Sequence, residues 1–369
     1  MFTMHPTLLV GPADWDAVRM PKDEFLGRIA AFWRACDPEI SAAIVYGDAR
    51  SHSELAYLTH FTPKLEPAIA LIGRTGAPRL LVGGGVNMLA AARPLTWIED
   101  LLPLRDAGAT VTRWRTELGS QALALLNGDA MPFGLRQSIA TTLGTPTDMT
   151  ETVAAAMRRK SGREVALMRE ACATLDAVIA AMRAAQSAAR GMTDVVLAGE
   201  RLAHQRGAQD VRSLFGRDGT LAPFRVPIAM PADPLQVYVA VRHGGYWAEG
   251  FAVLSGSAPP AAAKARAVLD EVLDLAKPGT PHRELARHVA AKIGAACRHP
   301  VIRDTFGGSI GLGLPQPGCL AETGDGRFAP GETYTVRVGL TDSAGSAMVS
   351  AMVAITGSGH DVLWAGGDS

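Results

Sequence analysis

Apolar residues recur every three or four positions after Glu164, which is the spacing of one face of an α-helix. The positions that follow this spacing are Val165, Met168, Ala171, Cys172, Leu175, Val178, Ile179 and Met182. The pattern predicts a long amphipathic helix, and Gly191 is a suitable stop beyond it. Thr193 and Asp194 are suitable caps for a second helix over 195–206.

The remaining patterns in the second half of the chain predict further helices and strands. Helical spacing predicts helices over 261–276 and 283–296. Apolar, β-prone runs predict strands over 237–241, 333–340 and 347–355.

Residues 1–150 combine β-prone runs with helix-like stretches, which is typical of a small α/β domain. The predicted strands are 42–46, 68–72 and 80–82, and the predicted helices are 23–36 and 118–126. Turn-forming residues make the region around 145–160 a suitable boundary. Because 369 residues favour two domains, we predict domains at 1–150 and 151–369.

The charge balance, the cysteine content and the hydropathy of the chain limit which partners and which cellular location we expect. The 36 basic and 36 acidic residues balance, so no charge excess favours nucleic acid or an anionic membrane as partner. The four cysteines are far apart in the sequence and form no metal-type pair, so we expect reduced packing residues in a cytoplasmic protein. The first residues lack a signal-peptide pattern, and the longest uncharged stretch, 343–359, is too polar to span a bilayer.

Short phrases carry a resemblance to a known family from about residue 150 to the end. They are Arg159-Lys160-Ser161-x-x-Glu164, Gly191-Met192-Thr193-Asp194, Gly245-Tyr246-x-x-Glu249, Gly307-x-x-Ile310-Gly311-Leu312 and Pro330-Gly331-Glu332. This part of the chain resembles the aminopeptidase P, prolidase and creatinase family. The resemblance implies an α/β protein, with an α+β pita-bread domain after a smaller creatinase-type α/β domain, and a homodimer. Residues 54–59 are similar to a strand entry of the creatinase-type domain.

The resemblance also implies five metal-ligand positions, and this chain departs from most of them. The strand over 237–241 has no acid where the first aspartate is expected, and Glu249 stands at the second aspartate. Gly308 replaces the histidine, and Arg337 and Ser350 replace the two glutamates. Since a guanidinium repels cations, we expect no metal and no other cofactor. Two further histidines of the family correspond to Phe224 and Gln316.

Strand alternation places the replacements in the former metal cavity. In the strand over 333–340, one face is expected to pack on helices and carries Tyr334, Val336, Val338 and Leu340. Arg337 lies on the other face and is therefore expected to face the cavity. The same alternation in the strand over 347–355 places Ser350 on the cavity side. Three interpretations are open. Arg337 forms a structural salt bridge with Glu249; or Arg337 binds a substrate carboxylate while Glu249 acts as general acid or base; or the site lies elsewhere.

The other candidate site residues rest on position alone. His243 lies on a turn at the cavity mouth and is a candidate catalytic residue. The candidate substrate-binding residues are Arg337, Ser350, Phe224, Tyr246 and His60. His60 is included because the resemblance to creatinase-like dimers implies that the N-terminal domain of one subunit contributes residues to the active site of its neighbour.

Three functions are therefore open. The first is a metal-independent, creatinase-like enzyme that hydrolyses a C–N bond in a small carboxylate-bearing metabolite. The second is a catalytically inactive binding or scaffold protein of the same fold. The third is an Xaa-Pro metallopeptidase with relocated ligands. The expected partner is a small molecule, with a second copy of the chain in a homodimer.

Overall fold

A computed structural model describes residues 14–84, 87–119, 122–188, 191–216, 219–224, 233–256, 259–302, 305–314, 316–343 and 345–366. The chain divides into two compact units, one ending at Met157 and one beginning at Arg158. Within these ranges no helix has both the length and the apolar character needed to cross a membrane.

The N-terminal unit is built on a six-stranded mixed sheet with strand order β4-β3-β2-β1-β5-β6. Its strands are β1 (Ile40–Gly47), β2 (Ala68–Gly73), β3 (Arg79–Val82), β4 (Asp100–Pro103), β5 (Ala122–Leu126) and β6 (Thr147–Asp148). Its helices are α1 (Lys22–Ala35), α2 (Ser53–Thr59), α3 (Asn87–Ala92), α4 (Ala107–Leu118), α5 (Phe133–Leu143) and α6 (Thr150–Arg158), the last of which ends at the unit boundary. The three strands predicted here are confirmed.

Two predictions in this unit are wrong. Helix α4 ends at Leu118 because Gly119 takes the left-handed conformation, and the apolar run that follows becomes β5, parallel to β1. Residues 54–59, which resemble a strand entry, belong to helix α2, and Leu55 and Leu58 are fully buried. In both places the burial of a short apolar run, and not its local sequence pattern, decided whether the run forms a helix or a strand.

The C-terminal unit contains four long helices: α7 (Gly162–Ser187), α8 (Met192–Gln205), α9 (Pro260–Leu273) and α10 (His282–Ile293). The predicted amphipathic helix is confirmed as α7, which opens with a capping box between Ser161 and Glu164. The predicted cap of α8 is wrong. Gly191 is the N-cap there, and Thr193 and Asp194 already lie inside the helix.

Two sheets face each other in this unit. The first has the order β7-β8-β9, and the second has the order β11-β10-β12-β13-β14. The strands are β7 (Asp210–Gly216), β8 (Leu235–His243), β9 (Tyr246–Leu254), β10 (Thr305–Ser309), β11 (Cys319–Ala321), β12 (Thr333–Asp342), β13 (Gly345–Ile355) and β14 (His360–Ala365). Strand β9 is not predicted from the sequence, because all of its residues are buried and no alternation of apolar and polar residues marks it.

The outer face of β12 packs on α9 and α10, as strand alternation predicts. Tyr334, Val336, Val338 and Leu340 join one apolar core with side chains of both helices. The opposite face of β12 therefore turns toward the three-stranded sheet, with Arg337 on it. The α/β class predicted from the sequence is confirmed.

The buried His299 gives this unit a predicted dependence on pH. It lies before β10, is 1% exposed, and accepts a hydrogen bond at Nδ1 from the amide of Val301 at 3.1 Å. Burial lowers its pKa from 6.5 to about 4. The unfolded chain therefore binds more protons between these values, and stability falls as the pH drops through this window.

We expect the histidine to account for a loss of about 3 kcal/mol in the free energy of unfolding between pH 6.5 and 4. Urea denaturation at several pH values measures the free energy of unfolding as a function of pH. We expect this dependence to be weaker in the His299→Gln variant. His204→Gln, at an exposed position on α8, is the control and is expected to leave the profile unchanged. Parallel profiles for wild type and His299→Gln would contradict the assignment.

Candidate functional site

Three side chains from three strands meet at the centre of the C-terminal unit. Glu249 on β9 is 4% exposed, and its Oε1 accepts a hydrogen bond from Nη2 of Arg337 on β12. Its other oxygen, Oε2, accepts a hydrogen bond from the hydroxyl of Tyr238 on β8 at 2.6 Å. The salt bridge that was one of the three interpretations is thus formed, with a tyrosine added that the sequence analysis did not name.

The electrostatics of this trio favour a charged pair beside a neutral phenol. Burial lowers the pKa of Arg337, but the neighbouring Glu249 carboxylate outweighs it and the pKa is raised overall. Burial and then the same carboxylate raise the pKa of Tyr238 well above its usual range. Tyr238 therefore stays protonated and donates to Glu249, which binds two donors at once.

A cavity of about 620 Å³ opens beside the trio. Its walls come from β7, β8, β9, β10, β12 and the loop before β11. The described lining residues are Arg212, Ser213, Leu214, Tyr238, Glu249, Thr305, Gly307, Gly308, Ser309, Leu314, Gln316, Pro317, Gly318, Cys319 and Arg337. Three of the ligand positions that the resemblance implies, now Glu249, Gly308 and Arg337, therefore converge on one cavity.

The described charges of the lining are two cations and one anion. Arg212 on β7 stacks over the ring of Trp247 at 4.6 Å and is 54% exposed. Arg337 pairs with Glu249, and Nη2 of Arg212 lies 3.5 Å from Oδ2 of Asp210, so both cations of the lining have an acidic partner.

Ser350 and Tyr246 serve the scaffold and are not among the lining residues of the cavity. Ser350 lies opposite Arg337 on β13, but it is fully buried and its Oγ accepts a hydrogen bond from the amide of Phe251 at 2.9 Å. The hydroxyl of Tyr246 donates to Oε1 of Glu164 at 2.9 Å, which anchors β9 to the start of α7. Both side chains are therefore committed to contacts within the protein.

The other predicted residues do not join the trio. His243 ends β8, where its Nε2 lies 3.8 Å from Oε2 of Glu170, an exposed α7 carboxylate. Phe224 lines a different cavity of about 380 Å³, between α8 and β7. His60 belongs to the N-terminal unit, where Nδ1 lies 3.1 Å from the carbonyl oxygen of Leu95. Burial lowers the pKa of His60, against the opposing effect of that carbonyl.

The expectation that all four cysteines are packing residues is half right. Cys36 and Cys172 are buried, but Cys297 is only partly buried and Cys319 is exposed on the cavity wall. Desolvation raises the pKa of the Cys319 thiol, against the lowering effect of Arg337, so this thiol is not an activated nucleophile.

Several lining residues escaped the sequence analysis. Tyr238 is the one hydroxyl-bearing residue in the strand over 237–241. Strand alternation puts Tyr238 on the same face as Ala240, and Ala240 is the residue that pairs with Glu249 on β9. This signal could have identified Tyr238. Arg212 and Ser309 carry no signal in the sequence. They reach the cavity because β7 and β10 are brought there by pairing with distant strands.

The described side chains around Glu249 do not fit a pair of divalent metal ions, which need several carboxylate or imidazole ligands. Glu249 is the one carboxylate among the described lining residues. Across the described part of the chain, no three His, Cys, Asp or Glu side chains are grouped to hold a metal. A guanidinium ~4 Å from a divalent ion costs about 8 kcal/mol at an effective dielectric of about 20.

Comparisons with known proteins agree with this architecture. The family model described as Metallopeptidase family M24 matches residues 166–357, more than half of the chain. No curated protein sequence matches the chain.

Solved structures resemble the chain over nearly its whole length. A prolidase from Pyrococcus horikoshii OT3 has a TM-score of 0.74 at 13% identity, over 94% of this chain and 99% of that one. An Xaa-Pro dipeptidase from Bacillus anthracis has a TM-score of 0.72 at 18% identity, over 92% and 97%. An X-Pro aminopeptidase from Thermotoga maritima MSB8 has a TM-score of 0.73 at 15% identity, over 88% and 95%. At these identities the likeness concerns the fold, and the predicted pita-bread architecture is confirmed.

Proposed function

We propose that this chain, which belongs to metallopeptidase family M24, binds a small carboxylate-bearing ligand without a metal ion and does not catalyse its hydrolysis. The observation that carries the proposal is the Glu249 carboxylate held between Arg337 and Tyr238. Of the functions left open by the sequence, this corresponds to the inactive binding protein. Homodimer formation and a cytoplasmic location stay predictions.

The chemistry of the trio argues against a hydrolytic role. A general base needs an oxygen that is free to accept a proton from the attacking water. Both oxygens of Glu249 already accept hydrogen bonds. No histidine is present among the described lining residues, and the Cys319 thiol is held in its protonated form.

The shape and charge of the cavity support binding. A volume of about 620 Å³ lies in the range of small-molecule sites. Arg212 is paired with Asp210 but its side chain is 54% exposed, so its guanidinium can also contact a ligand carboxylate. Leu214, Leu314 and Pro317 offer apolar surface for the remainder of the ligand.

A second candidate function is hydrolysis of a C–N bond, including the Xaa-Pro bond named for the similar structures. One observation favours it: Glu249 lines an open cavity, so its carboxylate is within reach of a bound molecule. In that case Glu249 would act as the general base and Arg337 would orient it. The metal-independent form of this reaction is the creatinase-like enzyme that was the first of the three functions left open by the sequence.

Metal content and turnover separate the candidates. We expect purified full-length protein to carry well under one equivalent of Mn, Co or Zn by elemental analysis. We also expect it to leave Gly-Pro and Ala-Pro uncleaved with added Mn²⁺ or Co²⁺. A bound small carboxylic acid at ~100 times its Kd should raise the free energy of unfolding by about 2.7 kcal/mol.

Other outcomes identify the second candidate. Two stoichiometric metal ions with chelator-sensitive cleavage would establish an Xaa-Pro metallopeptidase. Cleavage that resists chelator and disappears in Glu249→Gln would establish the metal-independent hydrolase. Absence of any thermal shift across a broad panel of carboxylic acids would overturn the binding proposal.

A further inference from the structure

One cation of the cavity lining is open to a ligand. Arg212 on β7 lines the cavity, and its side chain is 54% exposed, against 26% for Arg337 and 4% for Glu249. Oδ2 of Asp210 lies 3.5 Å from Nη2 of Arg212, but Asp210 is not among the described lining residues. A molecule in the cavity therefore meets this guanidinium more directly than its counter-charge.

The register of the three-stranded sheet places Arg212 beside the centre of the site. Arg212 pairs with Ala240 on β8, and Ala240 pairs with Glu249 on β9, so the three residues form one row on one face of the sheet. The Arg212 guanidinium lies over the ring of Trp247, with Cζ 4.6 Å from the ring centroid. Trp247 precedes Glu249 by two residues on β9, so it shares the face of Glu249 and lies about 7 Å along the strand.

The electrostatics of Tyr238 agree with this position. Burial and the Glu249 carboxylate raise the pKa of Tyr238, and the charges of Arg337 and Arg212 oppose that rise. Both guanidiniums therefore lie within electrostatic range of the hydroxyl that donates to Glu249. One comes from β12 and the other from β7, so the cations reach the site from two different sheets.

The Arg212 side chain is well placed to bind a carboxylate. Trp247 is 2% exposed and belongs to the core, so the ring is a fixed surface that supports the guanidinium and reduces the ordering that binding requires. A guanidinium has five N–H donors in a planar fork that matches a carboxylate. The contact with Asp210 is made through Nη2, which leaves other N–H groups for a ligand.

Arg337 is in a different situation. Its Nη2 donates to Glu249, and both side chains line the cavity. A ligand carboxylate at Arg337 would also meet the Glu249 carboxylate, and two like charges so close repel each other. A ligand carboxylate is therefore better placed at Arg212.

We propose that Arg212, supported by Trp247, binds the ligand's carboxylate, while Arg337 stays paired with Glu249. Leu214 follows Arg212 by two residues on the same face of β7 and lines the cavity, so it offers apolar surface next to the bound carboxylate. The ligand class is a small monocarboxylic acid with an apolar body. The inference rests on the proposed function and adds to it which residue selects an acid.

Matched acids and amides test the selectivity. The probes are hexanoate and 3-phenylpropanoate, each beside its carboxamide, titrated calorimetrically into full-length protein at neutral pH. We expect at least one acid to bind the wild type and its amide to bind at least about tenfold more weakly, because the amide carries no charge for the guanidinium.

Arg212→Met tests the residue directly, since methionine keeps an apolar side chain over Trp247 and removes the charge. We expect the acid to bind about 10- to 100-fold more weakly and the amide to bind as in wild type. Arg212→Lys keeps the charge without the planar fork, so an intermediate affinity is expected. Arg206→Met is the matched control, because it removes the same charge from an exposed position at the end of α8 and should bind the acid like wild type.

Tryptophan fluorescence supplies a signature that a purely structural role would not give. A carboxylate bound to the guanidinium over Trp247 changes the charge next to the indole ring, so the acid should shift the emission of wild type. The shift should be absent in Trp247→Phe and in Arg212→Met at acid concentrations that saturate wild type. Thermal melts without ligand confirm folding, and Arg212→Met should melt close to wild type because its pair with Asp210 is exposed.

The outcomes separate this inference from the proposed function. Acid binding that is unchanged in Arg212→Met, or weakened equally in Arg206→Met, would overturn the role of Arg212 while ligand binding stands. Equal affinity of acid and amide for wild type would overturn it as well. If neither acid binds the wild type the inference fails, and the broad panel of carboxylic acids decides the proposed function.

Discussion

Replacing Arg337 by methionine is expected to lower the free energy of unfolding by about 3–5 kcal/mol, because it leaves a buried carboxylate without its counter-charge. Glu249 is 4% exposed and would keep only the Tyr238 hydroxyl as partner. Urea denaturation followed by tryptophan fluorescence measures the change, since Trp247 and Trp364 are buried in the same unit.

The double variant distinguishes loss of an ion pair from loss of packing. Adding Glu249→Gln to Arg337→Met removes the orphaned charge, and we expect it to recover most of the lost stability. The control is Arg169→Met, which breaks an exposed pair with Asp361 and should cost under about 1 kcal/mol. If Arg337→Met costs no more than Arg169→Met, the trio is not a structural centre.

The second large effect concerns Gln236, which joins the two facing sheets. Its Nε2 on β8 donates to the carbonyl oxygens of Ala252 at 2.8 Å and Met348 at 3.0 Å, and its Oε1 accepts from the amide of Met348 at 2.7 Å. Gln236→Leu keeps the volume but removes all three hydrogen bonds. We expect a loss of about 3 kcal/mol, since buried backbone groups are left unpaired.

Gln205→Leu is the matched control for this substitution. It changes the same residue type at an exposed position on α8 and should alter stability by less than about 0.5 kcal/mol. Unchanged stability in Gln236→Leu would mean that the two sheets are held together by apolar packing alone.

Parts of the site could be predicted because strand alternation is a local rule. The sequence places Arg337 on the inner face of β12, and the structure has it there, opposite Ser350. The same rule could not show that β9 packs over Ser350, where the backbone amide of Phe251 donates a hydrogen bond to the Ser350 hydroxyl. Nor could it show that Tyr238 reaches Glu249, because that contact depends on the pairing of β8 with β9.

Periodicity along the chain was enough to predict the α/β class, the long helix α7 and the side of β12 that carries Arg337, because these follow from local geometry. The family motifs added the positions at which metal ligands would be expected. Which side chains contact those positions was decided by packing between segments that are far apart in the sequence. Glu249 and Arg337, for example, are 88 residues apart. The position of Arg212 over Trp247 likewise depends on the pairing of β7 with β8 and of β8 with β9, which only the tertiary structure shows.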